Sequence, residues 1–100
     1  MAEGLILEFD GVGVAEYQAV NRALGFDAET GTGDWPEGMQ YHAGGAKPGG
    51  WVVFEVWDSR DAQRRFMESR LGGALQEGGI TGPPARVEWL ELAATQARPG

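Results

Sequence analysis

The sequence predicts an α+β fold: one antiparallel four-stranded sheet with two helices on one face. Three observations carry this expectation. Short apolar runs of strand composition alternate with two stretches of helical periodicity, in the order β-α-β-β-α-β. The two middle strands flank a Gly- and Pro-rich stretch, a hairpin signal. The chain has 100 residues, 42% hydrophobic and 23% charged, a globular composition that buries about two-thirds of its surface around one modest core.

The first strand is Leu5, Ile6, Leu7, Glu8 and Phe9, ended by Asp10 and Gly11. Val14, Tyr17, Val20 and Leu24 follow at spacings of three, three and four, one face of a helix. Gln18, Asn21 and Arg22 fall elsewhere on it, and Gly25 is its C-terminal stop. Residues 27–38 are rich in Gly, Asp, Glu and Thr and read as a loop. Residues 39–44 and 51–57 read as strands, with residues 45–50 as a turn longer than two residues. Asp58 or Ser59 caps the second helix, with Asp61 in its first turn. Ala62, Phe66, Leu71, Ala74 and Leu75 mark its buried side. Gly72 and Gly73 bend or split it, and Gly78 and Gly79 end it. Residues 81–84 form a rigid connection and residues 85–93 the last strand. The whole is expected to be one domain, residues 1–100, with a frayed tail from about residue 95. This order of elements is the ferredoxin-like pattern.

Composition excludes several classes of function. There is no cysteine, so no disulfide, thiol nucleophile or thiolate metal site is available. Fifteen acidic residues against eight basic ones give a net charge of −7, which disfavours nucleic acid and anionic membranes as partners. No apolar run approaches the ~20 residues that span a bilayer. The N-terminus lacks the basic start of a signal peptide, so the expected location is cytoplasmic.

Strand three is apolar on both sides. Val52, Phe54 and Val56 form one face, and Trp51, Val53, Glu55 and Trp57 the other. Strand four repeats this, with Leu90 and Leu92 opposed to Val87 and Trp89. Two helices cover only one sheet face, so the pattern predicts two or three Trp rings on open sheet. A second copy of the chain is the expected cover. The alternative is a partly exposed ligand face on a monomer.

Three segments resemble a known family: Tyr17, Val20, Leu24 and Gly25 on helix one; Trp35, Pro36, Glu37 and Gly38 leading into His42 and Gly44; and the run from Gly50 through Ser59, followed by Phe66 and Leu71. The resemblance is to small dimeric α/β-barrel proteins of the antibiotic-biosynthesis-monooxygenase-like superfamily, over about residues 4–93. It implies a homodimer whose two sheets pack into a barrel, each protomer keeping a pocket between its sheet and its helices or loops. It also implies a choice among cofactor-free oxygenases of polycyclic aromatics, haem-degrading enzymes and polyketide cyclases. The haem-degrading group has an Asn early in the sheet and a His on helix two. Here the only Asn is Asn21 and helix two has no His, so no haem is expected. The oxygenases of polycyclic phenols use an Asn and a Trp near the substrate. Trp is present, but no sheet Asn matches.

His42 is the only histidine. With the turn centred between Lys47 and Pro48, it pairs with Val53 and shares a face with Trp51, Glu55 and Trp57. A one-residue slip would reverse this. His42 with Glu55 as its partner is the candidate acid–base pair, able to take a proton from a phenol or an activated carbon. The alternative is a structural or solvated histidine. Glu8 and Glu55 both lie within apolar strands, where a carboxylate can become an acid or base or simply meet a donor. Glu8, Trp51, Trp57 and Tyr17 are the candidate ligand-binding residues. Trp35, Trp89 and Tyr41 extend this aromatic set, for which core packing is the alternative. Gly11-Val12-Gly13 lacks the third glycine of a dinucleotide-binding turn. Asp27, Glu29 and Asp34 lack the spacing of a calcium loop, and a tetrahedral zinc site lacks its ligands.

The expected function is therefore a cofactor-independent monooxygenase or cyclase acting on a small aromatic or polyketide-like ligand, without metal or organic cofactor. The alternative is a non-catalytic homodimer that binds a small ligand or serves as an accessory protein.

Overall fold

The computed structural model describes residues 2–27, 30–96 and 98–99. Its elements are β1 (Glu3–Asp10), α1 (Val14–Leu24), β2 (Phe26–Asp27), β3 (Thr32–Gly33), β4 (Met39–Lys47), β5 (Gly50–Trp57), α2 (Arg60–Phe66), α3 (Gly72–Glu77) and β6 (Arg86–Glu91). A π-helical turn, Met67–Leu71, joins α2 to α3. The four long strands form one antiparallel sheet in the order β4-β5-β1-β6. This is the ferredoxin-like arrangement, with both helical segments on one face. The structure adds a two-stranded ribbon, β2–β3, that starts at Phe26 and runs into the stretch expected to be a loop, residues 27–38. No described helix is long and apolar enough to cross a membrane.

Local chemistry sets each boundary. The Ser59 side chain accepts from the Ala62 amide at 3.1 Å and starts α2. Gly25 ends α1 at φ 75, in the left-handed region that glycine reaches without a Cβ penalty. The expected split of the second helix at Gly72 and Gly73 lies earlier, at the π turn. There the Gly72 amide donates to the Met67 carbonyl, five residues back. That wide turn lets Phe66 and Leu71, five apart, both enter the core. The last strand is shorter than expected, residues 86–91 rather than 85–93. The strand expected over residues 39–44 continues to Lys47, so the hairpin loop is the two-residue Pro48-Gly49. Proline presets the first φ of such a turn, and Gly49 at φ 76 supplies the second.

The core lies between the sheet and the helices. Leu5, Leu7 and Phe9 of β1 meet Trp51, Val53 and Trp57 of β5 there, beneath Val20, Phe66 and Leu71. The Trp rings are therefore not on open sheet, contrary to the expectation from strand patterning. Trp57 is fully buried, Trp51 buried and Trp89 half-buried, all on the helix-covered side set by the pairing of Leu5 with Trp89 and Glu3 with Trp57. The helix-free face instead carries Ile6, Val52, Phe54 and Leu90, each half-buried, with Tyr41 against Phe54 at 6.3 Å. The large indole rings gain most from complete burial, and the helix-free face keeps the aliphatic side chains with Phe54 and Tyr41. On α1, Val14 is 55% exposed, whereas Asn21, expected off the buried face, is buried beside Val20.

Candidate functional site

The β4–β5 hairpin builds the site. Its Pro48-Gly49 turn places His42 directly opposite Glu55, not Val53. The shift is two residues, so side-chain parity is kept and His42 remains on the Trp51/Glu55/Trp57 face. A bulge between Met39 and Tyr41 adds Gln40 to β4. Because of it, Met39 and His42, three apart, both face the helices. Bulges re-aim side chains in this way beside functional sites.

A continuous hydrogen-bonded chain crosses the covered face. Trp57 Nε1 donates to Glu55 Oε1 at 2.9 Å. Glu55 Oε2 lies 2.9 Å from His42 Nδ1, with the two side chains 6% and 12% exposed. His42 Nε2 meets the Tyr17 hydroxyl. Indole N–H can only donate, and a carboxylate can only accept. For a neutral imidazole beside a carboxylate, this network puts the ring proton on Nδ1 and presents the Nε2 lone pair to the Tyr17 hydroxyl. Burial pushes the Tyr17 phenol up from its ordinary value. The Asn21 hydrogen bond opposes this, and the Glu55 charge adds to it. Tyr17 thus stays protonated at neutral pH and donates to His42.

This chain borders a cavity of about 60 Å³ between sheet and helices. Its walls are mainly apolar, among them Leu7, Phe9, Val20, Leu24 and Leu71. A larger groove of about 1030 Å³ runs between α1, the β2–β3 ribbon and the edge strand β4. Tyr17, Asn21, Phe26, His42 and Trp51 line both spaces. The Tyr17 ring lies over Trp51 at 4.9 Å and parallel to the imidazole at 5.7 Å. A Cβ at Gly44 would fall 2.8–2.9 Å from that ring, so glycine is what lets Tyr17 lie against β4. Trp51 Nε1 is buried with no partner among the described residues. Arg70, on the π turn, closes another wall. It donates to the Leu24 and Asp34 carbonyls at 2.9 and 2.8 Å and pairs with the Asp34 carboxylate at 3.2 Å.

Of the candidate residues, the fold brings His42, Glu55, Trp51 and Tyr17 to one place. Trp57 stands behind the carboxylate as its donor and does not line the cavity. Glu8 is elsewhere, on the helix-free side, paired with Lys47 at 3.0 Å and Arg86 at 2.8 Å. Those two hydrogen bonds, Arg86 first, hold its carboxyl below the usual carboxylate range. Strand parity explains the separation: Glu8 pairs with Val52 on the helix-free face. Trp35 lines the groove with its ring edge-on to Phe26 at 5.0 Å, and Trp89 lies under the Arg60 guanidinium.

Asn21, Phe26 and Arg70 also line the candidate cavity, and sequence reasoning missed them. Asn21 follows Tyr17 by four residues, which was a usable signal. Nothing local announces Arg70. Gly13, at the start of α1, donates its amide to Glu16 Oε1 at 3.1 Å, so the helix's own carboxylate takes the place a phosphate would need. Of the three acidic residues without calcium-loop spacing, Glu29 lies outside the described residues and Asp34 is bound by Arg70. Among the described residues, no group of three or more His, Cys, Asp or Glu is placed to hold a metal ion.

Solved structures share this architecture. A protein from Chloroflexus aurantiacus, provisionally described as an antibiotic biosynthesis monooxygenase, superposes with a TM-score of 0.66 at 15% identity, over 97% of this chain and 98% of its own. A protein of unknown function from Nitrosomonas europaea gives 0.66 at 16% identity, covering 99% and 96%. A mutant of SnoaB, a cofactor-independent oxygenase from Streptomyces nogalater, gives 0.61 at 20% identity, covering 97% and 98%. The chain has the antibiotic biosynthesis monooxygenase-like fold. At these identities the likeness is one of fold, and the fold hosts different activities. No family model matches the chain, and no curated protein does.

Proposed function

We propose that the protein takes an uncharged aromatic or polyketide-like molecule into the cavity and removes a proton from it, the opening step of cofactor-independent oxygenation or cyclisation. The observation that carries this reading is the Tyr17–His42–Glu55–Trp57 chain ending in an apolar cavity. His42 is the base. Its Nε2 lone pair is exposed to the cavity side once the Tyr17 hydroxyl yields. Glu55, fixed by Trp57, holds the imidazole in the required tautomer and stabilises the imidazolium that forms, the usual role of a third group behind a base. Trp51 is a ring-sized wall. Oxygenation is supported by the fold shared with SnoaB, described as a cofactor-independent oxygenase. The step calls for no metal or organic cofactor.

The same reading makes the active species a homodimer, joined through the helix-free face. Ile6, Val52, Phe54, Leu90 and Tyr41 form a contiguous apolar patch there, of the kind that marks an interface. One observation favours the alternative of a non-catalytic binder: His42 Nε2 is already engaged by Tyr17.

The test is oxygen uptake and product mass spectrometry with a panel of polycyclic phenols and their ketone precursors. Loss of the base in His42→Gln should lower turnover by about 10²–10⁴-fold. Equal turnover in His42→Gln would remove His42 from the chemistry. Binding without conversion of any compound would leave the binder reading in its place.

A further inference from the structure

The cavity of about 60 Å³ is well below the ~150 Å³ that accommodates benzene. An aromatic ligand therefore cannot enter while every side chain stays where it is. The residues between cavity and groove differ in how they are held. His42 is tied to Glu55, and Trp51 is buried at the start of β5. Tyr17 stands on α1 beside the wide groove, one turn after the exposed Val14. It is held by hydrogen bonds at its hydroxyl and by ring stacking.

We propose that the seat filled by the Tyr17 side chain is the binding subsite for a phenolic ring of the ligand, and that Tyr17 swings into the groove to vacate it. The inference rests on the reading above that the cavity takes an aromatic molecule. The seat has the shape and chemistry of one hydroxylated ring. Its floor is Gly44, where even a methyl group would collide with the ring at 2.8 Å. Its side wall is Trp51 at 4.9 Å. Its far end is His42 Nε2, an acceptor waiting for an O–H. A ligand phenol remakes each of these contacts, so the exchange costs little beyond turning Tyr17 outward. The groove of about 1030 Å³ gives the displaced ring room.

The charges of the lining also select the ligand. Glu55 and Asp34 both line the cavity, and the Arg70 guanidinium is occupied by Asp34 and two carbonyls. An uncharged phenol thus suits the seat better than a carboxylate. Tyr17 in this role is a competitor for its own site, and the apparent affinity is reduced by the fraction of time it stays seated.

The experiment uses 2-naphthol as the probe and naphthalene as its hydroxyl-free control, with binding read by titration calorimetry. Tyr17→Ala should bind 2-naphthol at least about ten-fold more tightly than the wild type, matching a seat vacated no more than one-tenth of the time. Naphthalene should gain less. Equal or weaker 2-naphthol binding by folded Tyr17→Ala would overturn the proposal and make Tyr17 a ligand contact. A second measurement needs no variant: NMR of the wild type, following the His42 ring nitrogens and Tyr17 ring protons. On adding 2-naphthol, the Tyr17 resonances should move to those of an exposed ring while His42 Nε2 keeps an O–H partner. Binding that leaves both unchanged, or no binding to either protein, overturns the proposal. Turnover is not read here. Displacement of Tyr17 without conversion would support the seat and defeat the oxygenase reading, while turnover with Tyr17 unmoved would do the reverse.

Discussion

Replacing Glu55 by Gln changes one atom and should reverse the direction of the whole proton chain. Trp57 Nε1 can only donate, so the carbonyl of the introduced amide must take the place of Oε1, 2.9 Å away. The amide NH₂ then faces His42 Nδ1. That nitrogen must become an acceptor, and the ring proton moves to Nε2, where it donates to the Tyr17 oxygen. The base lone pair disappears although no contact is lost. Two bonds to a charged group, each worth about 1.5–3 kcal/mol, become neutral bonds of about 0.5–1.5 kcal/mol. The loss is offset because a neutral amide is cheaper to bury than a carboxylate on a side chain 6% exposed. The net change should be within about 1 kcal/mol, or roughly 4–8 °C in Tm for a domain of this size. Glu55→Ala is different. It strands the Trp57 N–H and one His42 nitrogen at about 1–3 kcal/mol each, several times the loss in Tm. Thermal melts of both variants and ¹⁵N NMR of the His42 ring provide the assay. Turnover in Glu55→Gln should fall by about 10²–10⁴-fold. A ring that keeps its proton on Nδ1, or a Gln variant as unstable as the Ala variant, would refute the reasoning.

Other consequences follow from the same geometry. The Glu8 carboxyl is held down by Arg86 and Lys47, so its contribution to stability is present above the unfolded-state value and lost as pH falls through the lower folded one. The stability gap between wild type and Glu8→Gln, measured by chemical denaturation, should be open at neutral pH and close on acidification below about 4.3; a gap independent of pH would contradict this. Gly38 has φ +88 and a Cβ there would lie 2.7 Å from the Ala62 Cβ, whereas Gly49 at φ +76 faces open space. Both alanine variants suffer the left-handed backbone penalty of about 1–2 kcal/mol, but Gly38→Ala should lose clearly more Tm, and equal losses would show that α2 yields freely. Phe54→Lys places a charge in the middle of the helix-free face; sedimentation should show the wild type as a dimer and the variant as a monomer with unchanged circular dichroism, and a wild type that sediments as a monomer at micromolar concentration would defeat the proposed interface.

The element order was readable because it rests on periodicity and punctuation, which are local. The face assignments were only half readable. Alternation in β5 separates Trp51, Val53, Glu55 and Trp57 from Val52, Phe54 and Val56, yet both sets are apolar. Which set the helices cover depends on ring size and on a donor for Glu55, neither of which is a pattern. The placement of His42 survived an error in the turn because the error was two residues, a whole period of the strand. Its exact partner did not survive. The Gln40 bulge carries no glycine or other mark, and the π turn at Met67–Leu71 has nothing in its five residues to announce it. Arg70 was therefore out of reach of periodicity, on a turn whose phase the sequence hides; Asn21, four residues after Tyr17, was within reach but is a polar residue on a buried stripe. Glu8 shows the opposite failure, since an acidic residue in an apolar strand looked like chemistry and serves an ion pair across three strands.

The π turn also works as a phase adjuster between two gears. Each residue of an α-helix advances the side chain by about 100°, so removing one from an ordinary helix swings everything downstream away from its partners. Here the chain already holds one residue more than an α-helical path from Phe66 to Leu71 would use. Deleting Arg70 would let the segment relax to α geometry and leave Leu71 and Ala74 meshed with the core as before. What the deletion would remove is the guanidinium that clasps the end of α1 and the Asp34 backbone. The extra residue is thus a tolerance in the packing train and a fixed stop for the wall of the cavity, and the two can be separated by a single codon.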